Sequence, residues 1–328
     1  MKDKALFWGR QAEVEALYQK TFNSRLLILC GERGTGKTSL IQCGLANRIQ
    51  EGRWNPIYIP GNQKADRVLL STITLKLNAV FDRELGKAET GAYSETRPEI
   101  KTEALKALKQ LYEWTFQPIF LIFDQLEDRF DAGDKKELDA FFDLLKKIIE
   151  DKGFPCKIIL ILREAHLGAL ARYEELIPGL LDHRYHLGIM QPDTLRPAVS
   201  GMLDILQNTR QIQLTQPELV KDHITNQLNQ KKCPPKLGCL QIYLHQLHQD
   251  ACRQSKGEMP VFDLQLINRV GSSEKAIDSY IRSRRKSMEK QVCKGKTKSP
   301  SPAVIRVLCS QLYSCPSDST VAAGVGIT

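Results

Sequence analysis

A phosphate-binding loop motif near the start of the chain constrains the fold more than any other feature. Residues 31–38 read Gly-Glu-Arg-Gly-Thr-Gly-Lys-Thr and match the pattern G-x-x-x-x-G-K-[ST]. The glycines let the backbone curl so that successive N–H groups face the phosphates, Lys37 supplies an ammonium group, and Thr38 offers a hydroxyl to Mg²⁺. An apolar run at 25–30 precedes the loop, and a helical pattern at 39–49 follows it. This context predicts that the chain binds a nucleoside triphosphate.

The residues predicted to bind the nucleotide lie in this loop and in a short stretch ahead of it. Those in and beside the loop are Gly31, Arg33, Gly34, Thr35, Gly36, Lys37, Thr38 and Ser39. Ahead of the loop, residues 7–13 read Phe-Trp-Gly-Arg-Gln-Ala-Glu. An aromatic-Gly-Arg stretch in this place can fold over the nucleotide, so that Trp8 and Arg10 contact the base. From spacing alone, an N-terminal helix that caps the sheet edge explains the stretch equally well.

A second apolar run brings acidic residues to the same site. Residues 118–124 read Pro-Ile-Phe-Leu-Ile-Phe-Asp, which is typical of a buried parallel strand that ends in an acid. The Asp124 carboxylate can hold Mg²⁺ opposite the Thr38 hydroxyl, so these two residues are the predicted metal ligands. Glu127 and Asp128 follow closely, and either can orient an attacking water. The sequence therefore predicts hydrolysis of the nucleotide.

The remaining apolar runs predict a parallel α/β sheet. The predicted strands are residues 25–30, 56–59, 118–124, 157–162 and 186–189, with helical patterns between them. Such alternation forms right-handed β-α-β units, with the ligand at the carboxyl edge of the sheet. Arg163 follows the fourth strand, where a cation can sense the γ-phosphate, and an ordinary strand-end arginine is the alternative.

After residue 190 the predicted strands end and helices continue. The predicted helices are residues 193–206, 217–228, 237–252, 262–268 and 275–290. No run of 18 apolar residues exists, and the N-terminus lacks the apolar region of a signal peptide. The nine cysteines follow no regular spacing, which is typical of reduced core thiols. We therefore expect a cytoplasmic protein with no membrane segment.

The net charge of +9 is concentrated in one segment. Residues 282–306 contain nine basic residues and one acidic residue, which leaves +8. The basic residues from Arg282 to Lys298 can contact nucleic acid or an acidic partner. A solvated helix end that runs into a flexible linker is the favoured interpretation. No aromatic residues lie among the basic ones, which disfavours stacking on single strands.

Four stretches of the chain carry a family resemblance. They are residues 7–13, residues 31–38, Leu-Ile-Phe-Asp-Gln-Leu-Glu-Asp at 121–128 and Ile-Leu-Arg-Glu-Ala-His-Leu at 161–167. Together they resemble the STAND signal-transduction ATPases, in their bacterial "novel STAND" branch, which is related to NACHT and AAA+ proteins. Most AAA+ ATPases place a glutamate directly after the metal-binding aspartate, where this chain has Gln125. The resemblance implies that Glu127 orients the water, with Asp128 as a second candidate, and that Arg163 is the sensor arginine.

The resemblance also implies a fold and a domain division. Residues 1–190 would form an α/β P-loop domain of AAA+ type, with five parallel strands in the order 5-1-4-3-2. Residues 191–256 would form an all-α lid, and 257–328 a partial winged-helix region with a basic linker and a disordered tail. Residues 233–241 resemble the proline-containing lid helix that reports the nucleotide state, which adds Pro235 to the nucleotide-binding residues. Family members usually carry an effector domain before this module and repeats after it, so we expect a truncated chain or a pared-down member.

These features predict an ATP- and Mg²⁺-binding switch with slow ATPase activity. By family resemblance, ATP would close the lid and drive self-oligomerisation in bacterial defence or regulated signalling, with effector or sensor partners that the sequence does not identify. A DNA-associated AAA+ ATPase of the initiator or transposition-helper type is one alternative. A scaffold that binds ATP or ADP with little hydrolysis is another. No motif distinguishes ATP from GTP.

Overall fold

The computed structural model describes residues 8–49, 53–61, 65–87, 103–229, 237–255 and 257–294. These residues form two compact units, which we describe separately. The first unit consists of residues 10–33 and 37–188, and the second of the residues from Ile189 onward together with residues 8–9 and 34–36. Among the described helices, none combines the length and the apolar character that a membrane span requires.

A five-stranded parallel sheet forms the centre of the first unit. Its strands are β1 (Leu26–Gly31), β2 (Asn55–Pro60), β3 (Ile119–Asp124), β4 (Cys156–Arg163) and β5 (Arg184–His186). They lie in the order β2-β3-β4-β1-β5, and every neighbouring pair is parallel. Read from the other edge, this is the predicted order 5-1-4-3-2. The predicted P-loop fold is therefore confirmed.

The helical elements of the first unit connect these strands. They are α1 (Gln11–Asn23), α2 (Lys37–Ser39), a π-helical segment (Leu40–Leu45), α3 (Ala46–Ile49), α4 (Ala65–Lys87), α5 (Ala104–Thr115), α6 (Glu127–Ala132), α7 (Lys135–Glu150) and α8 (Leu167–Leu170), with 3₁₀ turns at Glu164–His166 and Ala171–Tyr173. The sequence predicts no helix at α6, because six residues are too few for a helical period to show.

Helix α7 shows how the sequence positions an element against the sheet. The Asp134 side chain accepts a hydrogen bond of 3.1 Å from the backbone N–H of Glu137, which caps the start of the helix. Its buried apolar residues recur every three or four positions, and they are Leu138, Phe141, Phe142, Leu145 and Ile148. At the other end, the Arg25 guanidinium donates to the carbonyls of Ile149 at 2.8 Å and Asp151 at 2.6 Å. These bonds fix the end of α7 beside the start of β1.

The fifth strand lies two residues earlier than the sequence predicts. The prediction places it at residues 186–189, whereas β5 is Arg184–His186. Its side chains are exposed or half-buried, because an edge strand needs only one backbone neighbour and no continuous apolar run. Leu187 directly after β5 is buried, and its backbone N–H donates to the Cys30 carbonyl at 2.7 Å. Because Leu187 is apolar and buried like a strand residue, the apolar pattern places the predicted strand too late.

The second unit is mainly helical. Its helices are α9 (Pro192–Asn208), α10 (Pro217–Leu228), α11 (Leu237–Ser255), α12 (Leu264–Val270) and α13 (Ser273–Lys294). Two short strands, β6 (Gln213–Leu214) and β7 (Val261–Phe262), pair in parallel, which corrects the expectation that strands end at residue 190. Helix α12 begins later than predicted, because Asp263 caps it by accepting from the Leu266 N–H at 2.7 Å. The buried Tyr243 hydroxyl donates to the Gly271 carbonyl at 2.9 Å and links α11 to the turn before α13.

Candidate nucleotide-binding site

The predicted phosphate loop connects the end of β1 to a helical run that begins at Lys37. Gly34 and Gly36 have φ angles of 81° and 91°, in the region that residues with a Cβ atom rarely adopt. Thr35 between them is buried, and Arg33 and Ser39 are half-buried on either side. The local backbone therefore has the strand–loop–helix form that places N–H groups at a helix N-terminus.

Lys37 lies at the start of this helical run and bends back over the loop. Its ammonium group donates to the carbonyl oxygens of Gly31 at 2.9 Å and Glu32 at 2.8 Å. Burial lowers the pKa of Lys37 below its ordinary value, while the carboxylates of Glu127 and Asp124 act in the opposite direction. The positive charge is thus held at the loop with two carboxylates nearby.

Thr38 and Asp124 bring a hydroxyl and a carboxylate together. The Thr38 Oγ1 atom donates to Asp124 Oδ2 at 2.8 Å and lies 3.1 Å from Oδ1. The backbone N–H of Gln125 donates to Oδ1 at 2.9 Å and fixes the carboxylate at the carboxyl end of β3. Because Mg²⁺ prefers oxygen ligands of this kind, the two side chains fit the predicted role of metal ligands.

The carboxyl group of Asp124 is expected to make the free energy of unfolding depend on pH. Burial raises the pKa of Asp124, and the bonds from Thr38 and Gln125 partly oppose this. Folding therefore disfavours the ionised carboxylate, which lowers stability at any pH above the folded-state pKa. We expect Asp124→Asn, whose amide oxygen still accepts from Thr38, to raise the free energy of unfolding at pH 7 by about 1 kcal/mol.

The measurement is urea denaturation of both proteins without Mg²⁺ or nucleotide, repeated at several pH values. The gain should shrink as the pH falls toward about 4, where the carboxyl group of the unfolded chain also becomes protonated. An asparagine variant that is less stable than the parent protein at pH 7 would contradict this account.

An irregular backbone after β3 determines where the acidic residue Glu127 lies. Gln125 is exposed and adopts a positive φ of 56°, so the chain turns sharply beyond Asp124. The buried Leu126 then donates its N–H to the Ile161 carbonyl of β4 at 2.9 Å. Helix α6 starts at Glu127 as a result, beside the end of β4.

Glu127 and Arg163, two of the predicted catalytic residues, form an ion pair. Glu127 is nearly fully buried, with 5% of its side chain exposed, and its Oε1 atom accepts from Arg163 Nε at 2.9 Å. The backbone N–H of Arg163 donates to Oε2 at 3.2 Å. Both carboxylate oxygens of Glu127 therefore contact the same residue.

Asp128, the third predicted catalytic residue, has a different environment. Its side chain is half-buried, and its backbone N–H donates to the Gln125 carbonyl at 3.0 Å. Burial raises the pKa of Asp128 above its ordinary value, and the charge of Glu127 adds to this, whereas Arg163 and Arg33 oppose it. The charges of the loop arginine and of the ion pair thus both act on the Asp128 carboxyl group.

Glu164 and His166, which follow Arg163, carried no predicted role of their own. His166 in the 3₁₀ turn lies 3.2 Å from the Asp131 carboxylate of α6, and His186 of β5 lies 2.9 Å from Glu164. The segment after β4 is thereby connected to two other elements. The motif Leu-Arg-Glu-Ala-His contained the signal, but the partners lie 22 to 35 residues away in sequence and only the fold reveals them.

The stretch ahead of the loop makes contacts within the protein, and the contacts of Trp8 and Arg10 with a nucleotide base stay a prediction. The Arg10 guanidinium binds the carboxylate of Glu13 and donates to the Gly188 carbonyl at 2.8 Å, so it joins the start of α1 to the segment after β5. Trp8, in the second unit, packs on α9, since a Cβ atom added at Gly201 would lie 2.5 Å from its ring. Pro235 lies outside the described residues.

A parallel sheet of this order, with a phosphate loop after β1 and a half-buried aspartate at the end of β3, defines a P-loop NTPase. The sequence model of the family Novel STAND NTPase 1 matches residues 1–291. The chain belongs to this family. No curated protein is significantly similar to it in sequence.

Solved structures agree with this fold. The ADP form of ORC2 from Aeropyrum pernix matches with 18% identity and a TM-score of 0.55, over 83% of this chain and 69% of that chain. ORC1 of Aeropyrum pernix in complex with DNA matches with 15% identity and a TM-score of 0.54, over 100% and 82%. A Walker-type ATPase of Pyrococcus abyssi matches with 16% identity and a TM-score of 0.52, over 94% and 89%. At these identities the likeness concerns the fold alone.

Proposed function

We propose that this protein is a switch that binds ATP with Mg²⁺ and hydrolyses the ATP slowly. The observation that carries the proposal is the contact of 2.8 Å between the Thr38 hydroxyl and the Asp124 carboxylate, with Lys37 beside them. A hydroxyl and a carboxylate at the carboxyl edge of a parallel sheet suit a cation that bridges nucleotide phosphates. Mg²⁺ held there by Thr38 and Asp124 would neutralise phosphate charge during hydrolysis.

The other residues of the site supply positioning and charge. Lys37 contacts the β- and γ-phosphates, and Arg163 stabilises charge on the γ-phosphate. A carboxylate, either Glu127 or Asp128, orients a water molecule whose oxygen attacks the γ-phosphorus atom. The new P–O bond forms as the bond to the β-phosphate oxygen breaks, which releases ADP and inorganic phosphate. The carboxylate takes the proton of the water.

Family membership supports the further proposal that nucleotide controls assembly. In this scheme, residues 1–190 bind the nucleotide, residues 191–256 act as a lid, and residues 257–328 include a partial winged helix. ATP would close the lid and permit self-association, hydrolysis would reset the protein, and effector or sensor partners would read the state. Among the described residues, Cys30, Cys156 and Cys252 are free thiols, which supports a cytoplasmic location for such a switch.

The test of assembly is the mass in solution by light scattering, with Mg²⁺-ATP, with Mg²⁺-ADP and without nucleotide. We expect a larger species with ATP alone, because the γ-phosphate is what distinguishes the closed state. Lys37→Ala is the control and should stay small under every condition. A wild-type protein of constant mass, with bound nucleotide demonstrated, would contradict autonomous assembly.

A DNA-associated ATPase is a second candidate. Helix α13 continues to Lys294, so much of the basic segment lies on one helix. One structure of similar fold, ORC1 of Aeropyrum pernix, is a complex with DNA. If this candidate is correct, duplex binding should weaken steeply with salt and disappear when residues 282–306 are deleted. Binding that is unchanged by the deletion would exclude this segment as the DNA contact.

A further inference from the structure

The carboxylate of Glu127 is directed at Arg163. One oxygen accepts from the guanidinium and the other from the backbone N–H of the same residue, at 2.9 and 3.2 Å. Only 5% of the Glu127 side chain is exposed. An acid that orients an attacking water must turn an oxygen toward that water. In this arrangement, both oxygens of Glu127 are turned toward Arg163 instead.

The guanidinium retains the donors that a phosphate needs. Arginine carries five N–H groups, and the bond to Glu127 is made by Nε, so the terminal nitrogens carry the other four. About a third of the Arg163 side chain is exposed. The charge of Arg163 also acts on Lys37 of the phosphate loop. A guanidinium fixed at Nε can present its terminal N–H groups to phosphate oxygens as a fork.

The backbone that follows Arg163 is held by contacts with α6 and β5. His166 contacts Asp131 of α6 at 3.2 Å, and Glu164 contacts His186 of β5 at 2.9 Å. Each of these pairs is too exposed to add much stability. Together with Glu127 they connect residues 163–166 to α6 twice and to β5 once. Such a network restricts where the guanidinium can lie.

Asp128 is the acid that these contacts leave free for catalysis. It is adjacent to Glu127, it is half-buried, and the charges of both Arg163 and Arg33 act on it. Its backbone N–H bonds to the Gln125 carbonyl, which fixes the residue at the start of α6. A half-buried carboxylate at this position can face a water molecule at the loop without breaking an ion pair.

We propose that Glu127 is a positioning residue that holds Arg163 for the γ-phosphate, so that the site prefers a nucleoside triphosphate to a diphosphate, and that Asp128 orients the attacking water. This inference rests on the proposed nucleotide site. It divides between two residues the roles that the sequence left open. Glu127 acts through Arg163, whereas Asp128 acts on the water.

The experiment measures two quantities on the full chain: the ratio of the dissociation constants for Mg²⁺-ADP and a non-hydrolysable ATP analogue, and the turnover number for ATP. Glu127→Gln and Arg163→Ala should each reduce the ratio about tenfold, the effect of one lost charge-assisted contact. Combining them should add little, because both changes remove the same contact. Asp128→Asn should keep the wild-type ratio and reduce turnover at least about 100-fold.

A matched control variant and a second test variant allow the experiment to decide even if one protein does not fold. Glu150→Gln makes the same chemical change at an exposed position of α7 and should behave as wild type. If Glu127→Gln does not fold, Arg163→Ala alone decides, because an unchanged ratio in that variant overturns the proposal. A Glu127→Gln protein with the wild-type ratio and lost turnover would also overturn it and make Glu127 the water-orienting acid. Failure of the wild type to bind either nucleotide would instead overturn the proposed function.

Discussion

Replacing Lys37 by alanine is expected to weaken the binding of Mg²⁺-ATP about 100-fold or more, which is the size of a lost hydrogen bond between charged groups at about 3 kcal/mol. Lys37 is the cation that begins the helical run after the loop, and its ammonium already lies over the carbonyls of Gly31 and Glu32. The ammonium group can therefore contact the phosphates of a nucleotide in the loop with little rearrangement. Titration of a fluorescent ATP analogue measures the change.

The control for this prediction separates binding from folding. Lys136→Ala removes the same group from an exposed position of α7 and should leave the affinity unchanged. Lys37→Ala should remain folded, because burial disfavours the charge of this ammonium in the free protein. Equal affinities for Mg²⁺-ATP in the wild type and in Lys37→Ala would show that the loop is not the phosphate site.

Gly61→Ala is expected to destabilise the first unit by about 3 kcal/mol, at the upper end of the range for overpacking. A Cβ atom at this position would lie 1.8 Å from the carbonyl oxygen of Gln125. The Gly61 N–H also donates to the Asp124 carbonyl at 2.7 Å, so the backbone after β2 cannot simply move away from β3. The same displacement would disturb the turn that places Glu127.

Urea denaturation measures this effect, and Gly168→Ala is the matched control. No atom lies within 4 Å of a Cβ added at Gly168, which is in the short helix α8, so that change should be neutral or slightly stabilising. Equal stabilities of Gly61→Ala and the wild type would mean that the close approach of residues 61 and 125 is not required by the fold.

Much of the fold was predictable because local patterns report it well. β1 is an apolar run and β3 is apolar up to the Asp124 that ends it, as expected of buried parallel strands, and the loop motif marks the join between β1 and the helix after it. The order of the strands came from the family resemblance. β5 was placed two residues late because an edge strand needs no apolar pattern, and the two-residue pair β6–β7 is too short to carry a period.

The site was predictable in composition but not in its internal contacts. The sequence supplied Lys37, Thr38 and Asp124 from spacing alone, and the structure shows that the last two touch. The pairing of Glu127 with Arg163 spans 36 positions and depends on the turn at Gln125, for which there is no sequence rule. Gly61 was not singled out from the sequence, because the close approach of the Gln125 carbonyl to this position depends on the fold.

We propose that the site at the carboxyl edge of the sheet binds a nucleoside triphosphate together with Mg²⁺. Calorimetric titration of the wild-type protein with ATP, once with Mg²⁺ and once with excess chelator, tests it most directly. We expect one ATP per chain with Mg²⁺, and affinity at least about tenfold weaker without it, since Thr38 and Asp124 then lose the cation that would link them to the phosphates. No binding of ATP at millimolar concentration in the presence of Mg²⁺ would contradict the account.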